Sequence, residues 1–146
     1  MAAAPVAYTI TPYPPGGADA RATEMNQRGH MLGILLRSGG PWTDDGVRSA
    51  FLTTGPGFVD ITLIMPSFSP AGFNDLDQVA GIATVGLQGR QRAYLLQNGS
   101  VSSLGTLGGN NSGATAMNNA GQVVGFSSLP DGSEHAMPTK TAQWAT

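Results

Sequence analysis

Two histidines, a short acidic run and a tryptophan beside two aspartates are the residues in this chain that could do chemistry. His30 and His135 would need companions at fixed spacing to act as a base or to hold a metal. No HExxH or comparable metal-ligand spacing surrounds either and their positions in the repeat differ, so neither reads as a site, and His135 reads as a residue that caps or packs a strand. Asn74-Asp75-Leu76-Asp77 is rich in oxygen, as calcium loops are, but no downstream glutamate completes an EF-hand pattern. It reads as a turn. Gly16-Gly17 and Gly105-Thr106-Leu107-Gly108-Gly109 lack the Lys-Ser/Thr that follows a phosphate loop, and they read as connections. No Ser-His-Asp set assembles around Asp60. Trp42, Asp44 and Asp45 are the candidate ligand-binding residues. A flat apolar ring with carboxylates beside it suits a sugar, which stacks on the ring and donates its hydroxyl protons; the alternative is that Trp42 packs down onto a sheet edge and the two aspartates are simply solvated. Trp144, beside Gln143, does not complete a Gln-x-Trp sugar-binding motif. No catalytic residue, metal ligand or cofactor motif is expected.

The composition narrows what could position such residues. With 21 glycines and 10 prolines among 146 residues, a helical bundle is excluded. Only 11% of residues are charged and the net charge is -2, which argues against a nucleic-acid binder that works by phosphate neutralisation. Cysteine is absent, so packing and backbone hydrogen bonds must supply the stability. Apolar stretches such as Ile61 to Met65 fall far short of the roughly 20 residues a membrane helix needs.

An internal repeat organises the chain. Met25-Asn26-Gln27-Arg28-Gly29-His30-Met31-Leu32-Gly33 corresponds to Phe73-Asn74-Asp75-Leu76-Asp77-Gln78-Val79-Ala80-Gly81 and to Met117-Asn118-Asn119-Ala120-Gly121-Gln122-Val123-Val124-Gly125. The last glycines of these segments are 48 and 44 residues apart. A second block follows each, with Ala50, Ala93 and Ala136 spaced by 43 and 43. A third block, Val59-Asp60-Ile61-Thr62-Leu63 and Ser102-Ser103-Leu104-Gly105-Thr106-Leu107, closes repeats one and two, and Tyr8-Thr9-Ile10-Thr11 looks like another copy of it. The chain is thus one domain, residues 1–146, with repeats at about 18–64, 65–109 and 110–146 and a strand at 8–11 completing the last. Repeat one carries an insertion around Trp42. Gly33 to Ala50 spans 17 residues, whereas Gly81 to Ala93 spans 12 and Gly125 to Ala136 spans 11.

Each repeat reads as four short strands. Asn26 followed by Gly29, and Asn118 followed by Gly121, fit a hairpin whose last turn residue is left-handed, a conformation glycine adopts freely. Asp77 takes that place after Asn74 in repeat two, and Asp tolerates it better than most residues. Asn98-Gly99 signals a two-residue hairpin, and Gly55-Pro56-Gly57 does the same job in repeat one. The recurring Gly33, Gly81 and Gly125 are expected where two backbones approach closely.

These residues resemble a known family. Met117-Asn118-Asn119-Ala120-Gly121-Gln122-Val123-Val124-Gly125, the later His135-Ala136-Met137 and Leu104-Gly105-Thr106-Leu107-Gly108-Gly109 are similar to the HAF repeat, an extracellular bacterial repeat named for its His-Ala-Phe triplet. The resemblance spans roughly residues 8 to 138 and is strongest from Leu104 to Met137. It implies a secreted or surface-displayed protein of propeller-like β-repeats with no established enzymatic residues. Arg48-Ser49-Ala50-Phe51 and Arg92-Ala93-Tyr94 lack the family's histidine, so no role carries over to that position.

The expected fold class is therefore all-β, three four-stranded antiparallel repeats arranged as β-propeller-like blades, with a β-trefoil as the alternative. Three blades are fewer than the four to eight with which propellers close, so two chains are expected to supply six as a homodimer. The expected function is a non-enzymatic extracellular or cell-surface binding or adhesion module, with carbohydrate as a candidate ligand and a glycan or a surface protein as partner. The alternative is a structural or protein-interaction module acting through its sheet edges.

Overall fold

A computed structural model describes residues 19–36, 48–55 and 57–138. Its elements are β1 (Asp19–Met25), β2 (Met31–Leu36), β3 (Arg48–Thr54), β4 (Gly57–Asp60), α1 (Ile61–Ile64), β5 (Phe68–Phe73), β6 (Val79–Val85), β7 (Arg90–Gln97), β8 (Ser100–Gly105), β9 (Ser112–Met117), β10 (Val123–Ser128) and β11 (Glu134–Pro138). Each repeat makes its own antiparallel sheet. The orders are β1-β2-β3-β4, β5-β6-β7-β8 and β9-β10-β11. The third sheet has three strands among the described residues, and Tyr8 to Thr11, expected to complete it, lies outside them.

Local chemistry recurs with the repeat. The first strand of every sheet bulges at the same place: between Ala22 and Glu24 in β1, between Pro70 and Gly72 in β5, and opposite Val124 and Gly125 in β9. Thr23 Oγ1 in the first bulge donates to the Leu32 carbonyl, and Thr115 Oγ1 in the third donates to that of Val124. Beyond each bulge a glycine of the second strand lies against the first. A Cβ on Gly33, Gly81 or Gly125 would meet the carbonyl oxygen of Arg21, Ser69 or Gly113 at 2.3, 2.3 and 1.9 Å. Only glycine lets these strands pair so closely. Asn98 and Gly99 both take positive φ, 51° and 73°, in the turn joining β7 to β8.

The middle sheet packs on both faces, and its second strand, β6, reads accordingly as a nearly unbroken apolar run from Val79 to Val85. Val79, Ala83 and Leu96 pack with Phe68 against Leu32, Ala50, Leu52 and Ile61 of repeat one. On the opposite face Ala80, Ala93, Leu95 and Leu104 pack against Ala114 and Val123 of the third sheet. Each fully buried large side chain contributes about 1.5–3 kcal/mol by leaving water.

One local expectation is corrected. The third block is expected as strand in both repeats, yet in repeat one the strand stops at Asp60 and a single helical turn follows. The Asp60 carboxylate accepts from the Thr62 backbone N–H at 2.9 Å and so caps that turn. Ile61 at its start is fully buried in the first core, as Leu104 of β8 is in the second, so the burial is kept while the backbone changes.

Candidate functional site

The three turns that join the first two strands of each repeat form one continuous structure. Within each, the asparagine side-chain oxygen accepts two backbone N–H groups at 3.0 Å: Arg28 and His30 onto Asn26, Leu76 and Gln78 onto Asn74, Ala120 and Gln122 onto Asn118. The asparagine carbonyls accept the N–H of Gly29, Asp77 and Gly121, residues with φ of 77°, 59° and 76°.

Between turns, the asparagine amide reaches forward to the next repeat. Asn26 Nδ2 donates to the Asn74 carbonyl at 3.1 Å, and Asn74 Nδ2 donates to the Asn118 carbonyl at 3.1 Å. The following residues make a parallel set of bonds. The Gln27 N–H donates to Asp75 Oδ1 at 2.8 Å, the Asp75 N–H donates to Asn119 Oδ1 at 3.0 Å, and Asn119 Nδ2 donates back to Asp75 Oδ2 at 2.6 Å. Residues 44 to 48 positions apart in sequence are thereby joined by two parallel sets of bonds, forming a ladder. Both oxygens of Asp75 are engaged in it, which accounts for the acidic run as a joint between repeats.

The joint between the first and second sheets departs from this pattern. Asn74 and Asn118 each donate to a glutamine oxygen four residues on, Gln78 Oε1 at 2.6 Å and Gln122 Oε1 at 2.7 Å. His30 stands at that position in repeat one and has no oxygen to offer. Asp77 of the next repeat provides one instead: its Oδ1 accepts from Asn26 Nδ2 at 2.8 Å and lies 2.7 Å from His30 Nδ1, while its Oδ2 lies 3.1 Å from Arg28 Nη1. At the second joint the matching residue is Gly121, where a Cβ would sit 3.1 Å from Gln78 Oε1. Asp77 with His30 thus occupies the space that Gln78 with Gly121 occupies one joint later.

A groove of about 410 Å³ opens beside this cluster, lined by Arg28, Leu52, Val59, Leu76, Asp77 and Leu96 among others. The wall that Asp77 supplies is already engaged. The Asp77 carboxylate holds three partners, and His30 Nδ1 is turned onto it. Among the described residues no three His, Cys, Asp or Glu side chains are grouped to hold a metal ion. The arrangement joins two sheets.

The other residues singled out in the sequence are dispersed. Trp42, Asp44 and Asp45 lie outside the described residues, as does Trp144. His135 is exposed on β11, opposite Ser127 of β10. Its positive charge, when present, helps hold the Asp131 carboxyl below the usual aspartate range, after the larger effect of hydrogen bonds from the Ser133 side chain and backbone. Reading residue by residue missed the Asp77–His30 pair. The signal in the sequence was that both depart from the repeat at facing positions, His for Gln and Asp for Gly.

The outward face of the third sheet is unlike the other two. Val124 is 46% exposed, whereas its counterparts Leu32 and Ala80 are 1% and 0% exposed. Ala136 and Pro138 are exposed where Ala50, Ala93, Leu52 and Leu95 are buried. A hollow of about 290 Å³ on this face is lined by Ala116, Met117, Asn118, Gln122, Val124 and Pro138. No helix among the described residues is long and apolar enough to cross a membrane. Comparison with protein-family models, curated proteins and solved structures found no match.

Proposed function

We propose that the chain is a non-enzymatic extracellular binding and adhesion module whose repeats are propeller-like blades and which works by taking further sheet material onto its third sheet. The observation that carries this reading is the exposed face around Val124, whose repeat counterparts Leu32 and Ala80 are wholly covered. Stacking is how this chain shelters an apolar sheet face, and the third sheet repeats the pattern without a neighbour among the described residues. Self-association to six sheets supplies that neighbour and removes an aggregation-prone surface.

Mass in solution tests the reading. Light scattering over a wide concentration range is expected to pass from the 14.9 kDa monomer to a species of about twice that mass. Val124→Lys is expected to abolish the transition while leaving the fold intact, because the side chain is already half in water. A particle of monomer mass at every concentration overturns the proposal.

A further inference from the structure

The association just proposed fixes which surfaces meet, and on that reading we infer that a second copy of this chain docks head to tail, its first repeat following the third as a fourth would. Three observations converge on that occupant. First, the ladder of turns has chemically matched ends. Each asparagine amide donates forward to the next asparagine carbonyl. Among the described residues the Asn118 amide reaches Gln122 and no fourth turn, and the Asn26 carbonyl accepts only from Gly29 within its own turn. Asn118 Nδ2 of one copy therefore meets the Asn26 carbonyl of the next.

Second, the parallel set of bonds continues in the same sense. The Gln27 N–H donates to Asp75 Oδ1 and the Asp75 N–H donates to Asn119 Oδ1. The Asn119 N–H then needs a side-chain oxygen on the residue after a turn asparagine, which Gln27 carries.

Third, a knob faces a hole. Inside the chain, Met117 precedes its turn asparagine and lies against the preceding sheet, where a Cβ on Gly72 would come within 2.8 Å of its nitrogen and 3.0 Å of its Cγ. Met25 is the same residue of repeat one and is 71% exposed. The hollow beside Ala116, the counterpart of Gly72, lies on the outward face of sheet three and is walled by Val124 and Pro138. Met25 of the incoming copy enters that hollow as Met117 enters its place over Gly72. The joint so formed continues an interface that the molecule already makes twice.

Cysteine cross-linking tests the direction of docking. The chain has no cysteine of its own, and Gln27 and Asn119 are both exposed, so Gln27→Cys and Asn119→Cys are expected to fold, the second giving up the two surface hydrogen bonds its side chain makes with Asp75. Mixed under mild oxidation, the two single variants are expected to give a disulfide-linked species of two chains that neither gives alone. Met25→Lys is expected to weaken association by about tenfold or more. A dimer by light scattering that cross-links Asn119→Cys to itself, or is indifferent to Met25→Lys, overturns head-to-tail docking and leaves the association standing. A monomer at every concentration, with no cross-link, removes both.

Discussion

Asn26 Nδ2 donates to Asp77 Oδ1 at 2.8 Å, across the joint between two repeats, where Asn74 and Asn118 donate to a glutamine of their own turn. Two departures from the repeat thus compensate each other. His30 removes an acceptor, and Asp77 restores it from the facing turn while placing a side chain in the left-handed region, with φ of 59°. Asp77→Gly relaxes the backbone but leaves the buried Asn26 amide short of a partner, a loss of about 1–3 kcal/mol. Adding His30→Gln is expected to restore most of that loss, because the introduced glutamine can then accept as Gln78 and Gln122 do. Chemical denaturation of the single and double variants checks this. Strictly additive effects would show that the two positions do not cooperate.

Two glycines that look alike in sequence are expected to behave differently. Gly29 has φ of +77° and open space around its missing Cβ, so Gly29→Ala carries only the left-handed penalty, about 1–2 kcal/mol. Gly125 has ordinary φ, yet a Cβ there would lie 1.9 Å from the Gly113 carbonyl oxygen. Gly125→Ala must part β9 from β10, with a cost at or above the roughly 1–3 kcal/mol typical of overpacking. Thermal melts of the two variants are expected to rank them in that order, and the reverse order would refute the close-approach account.

The repeat is legible in the sequence because its turns are chemically demanding. An asparagine that satisfies two backbone N–H groups, followed by a residue with positive φ, leaves few alternatives, so Asn26, Asn74 and Asn118 stand out despite their dissimilar neighbours. The glycines at 33, 81 and 125 are legible for the same reason, since no other residue fits beneath a strand carbonyl. The helical turn after Asp60 was hidden because Ile61 and Leu104 share a burial requirement that either backbone can meet. The His30–Asp77 joint was hidden for another reason. Each residue is acceptable by itself, and only their apposition across 47 positions shows that one answers the other.

Acid should reveal the small loop before β11. The Asp131 carboxylate accepts from Ser133 Oγ at 2.6 Å and from the Ser133 N–H at 2.9 Å, bonds that favour the ionised form and hold its pKa below the usual value. A carboxyl whose folded pKa is depressed adds stability above its unfolded pKa and loses that stability as pH falls through the folded one. The group is fully exposed, so the effect on global stability is small, and the site itself is the better readout. Titration followed by carbon NMR is expected to place the Asp131 midpoint below the usual aspartate range, and Ser133→Ala should raise it. An unchanged midpoint in Ser133→Ala would remove the hydrogen bonds as the cause.

The ladder also predicts unequal costs for one substitution at two equivalent positions. Asn74 is buried and uses its amide twice, on Gln78 Oε1 at 2.6 Å and on the Asn118 carbonyl at 3.1 Å. Asn74→Asp turns both contacts into a carboxylate facing oxygen, and an unpaired buried charge costs roughly 3 kcal/mol or more. Asn118 makes the same turn but is exposed, and among the described residues its amide meets only Gln122 Oε1 at 2.7 Å, which can rotate to offer its own amide. Asn118→Asp is therefore expected to shift monomer stability by no more than about 1 kcal/mol. Its effect belongs to association, because the lost donor is the one a second copy's Asn26 carbonyl would accept. Denaturation at low concentration paired with light scattering at high concentration separates the two quantities. If Asn118→Asp unfolds the monomer as severely as Asn74→Asp does, the third turn is not the open end of the ladder.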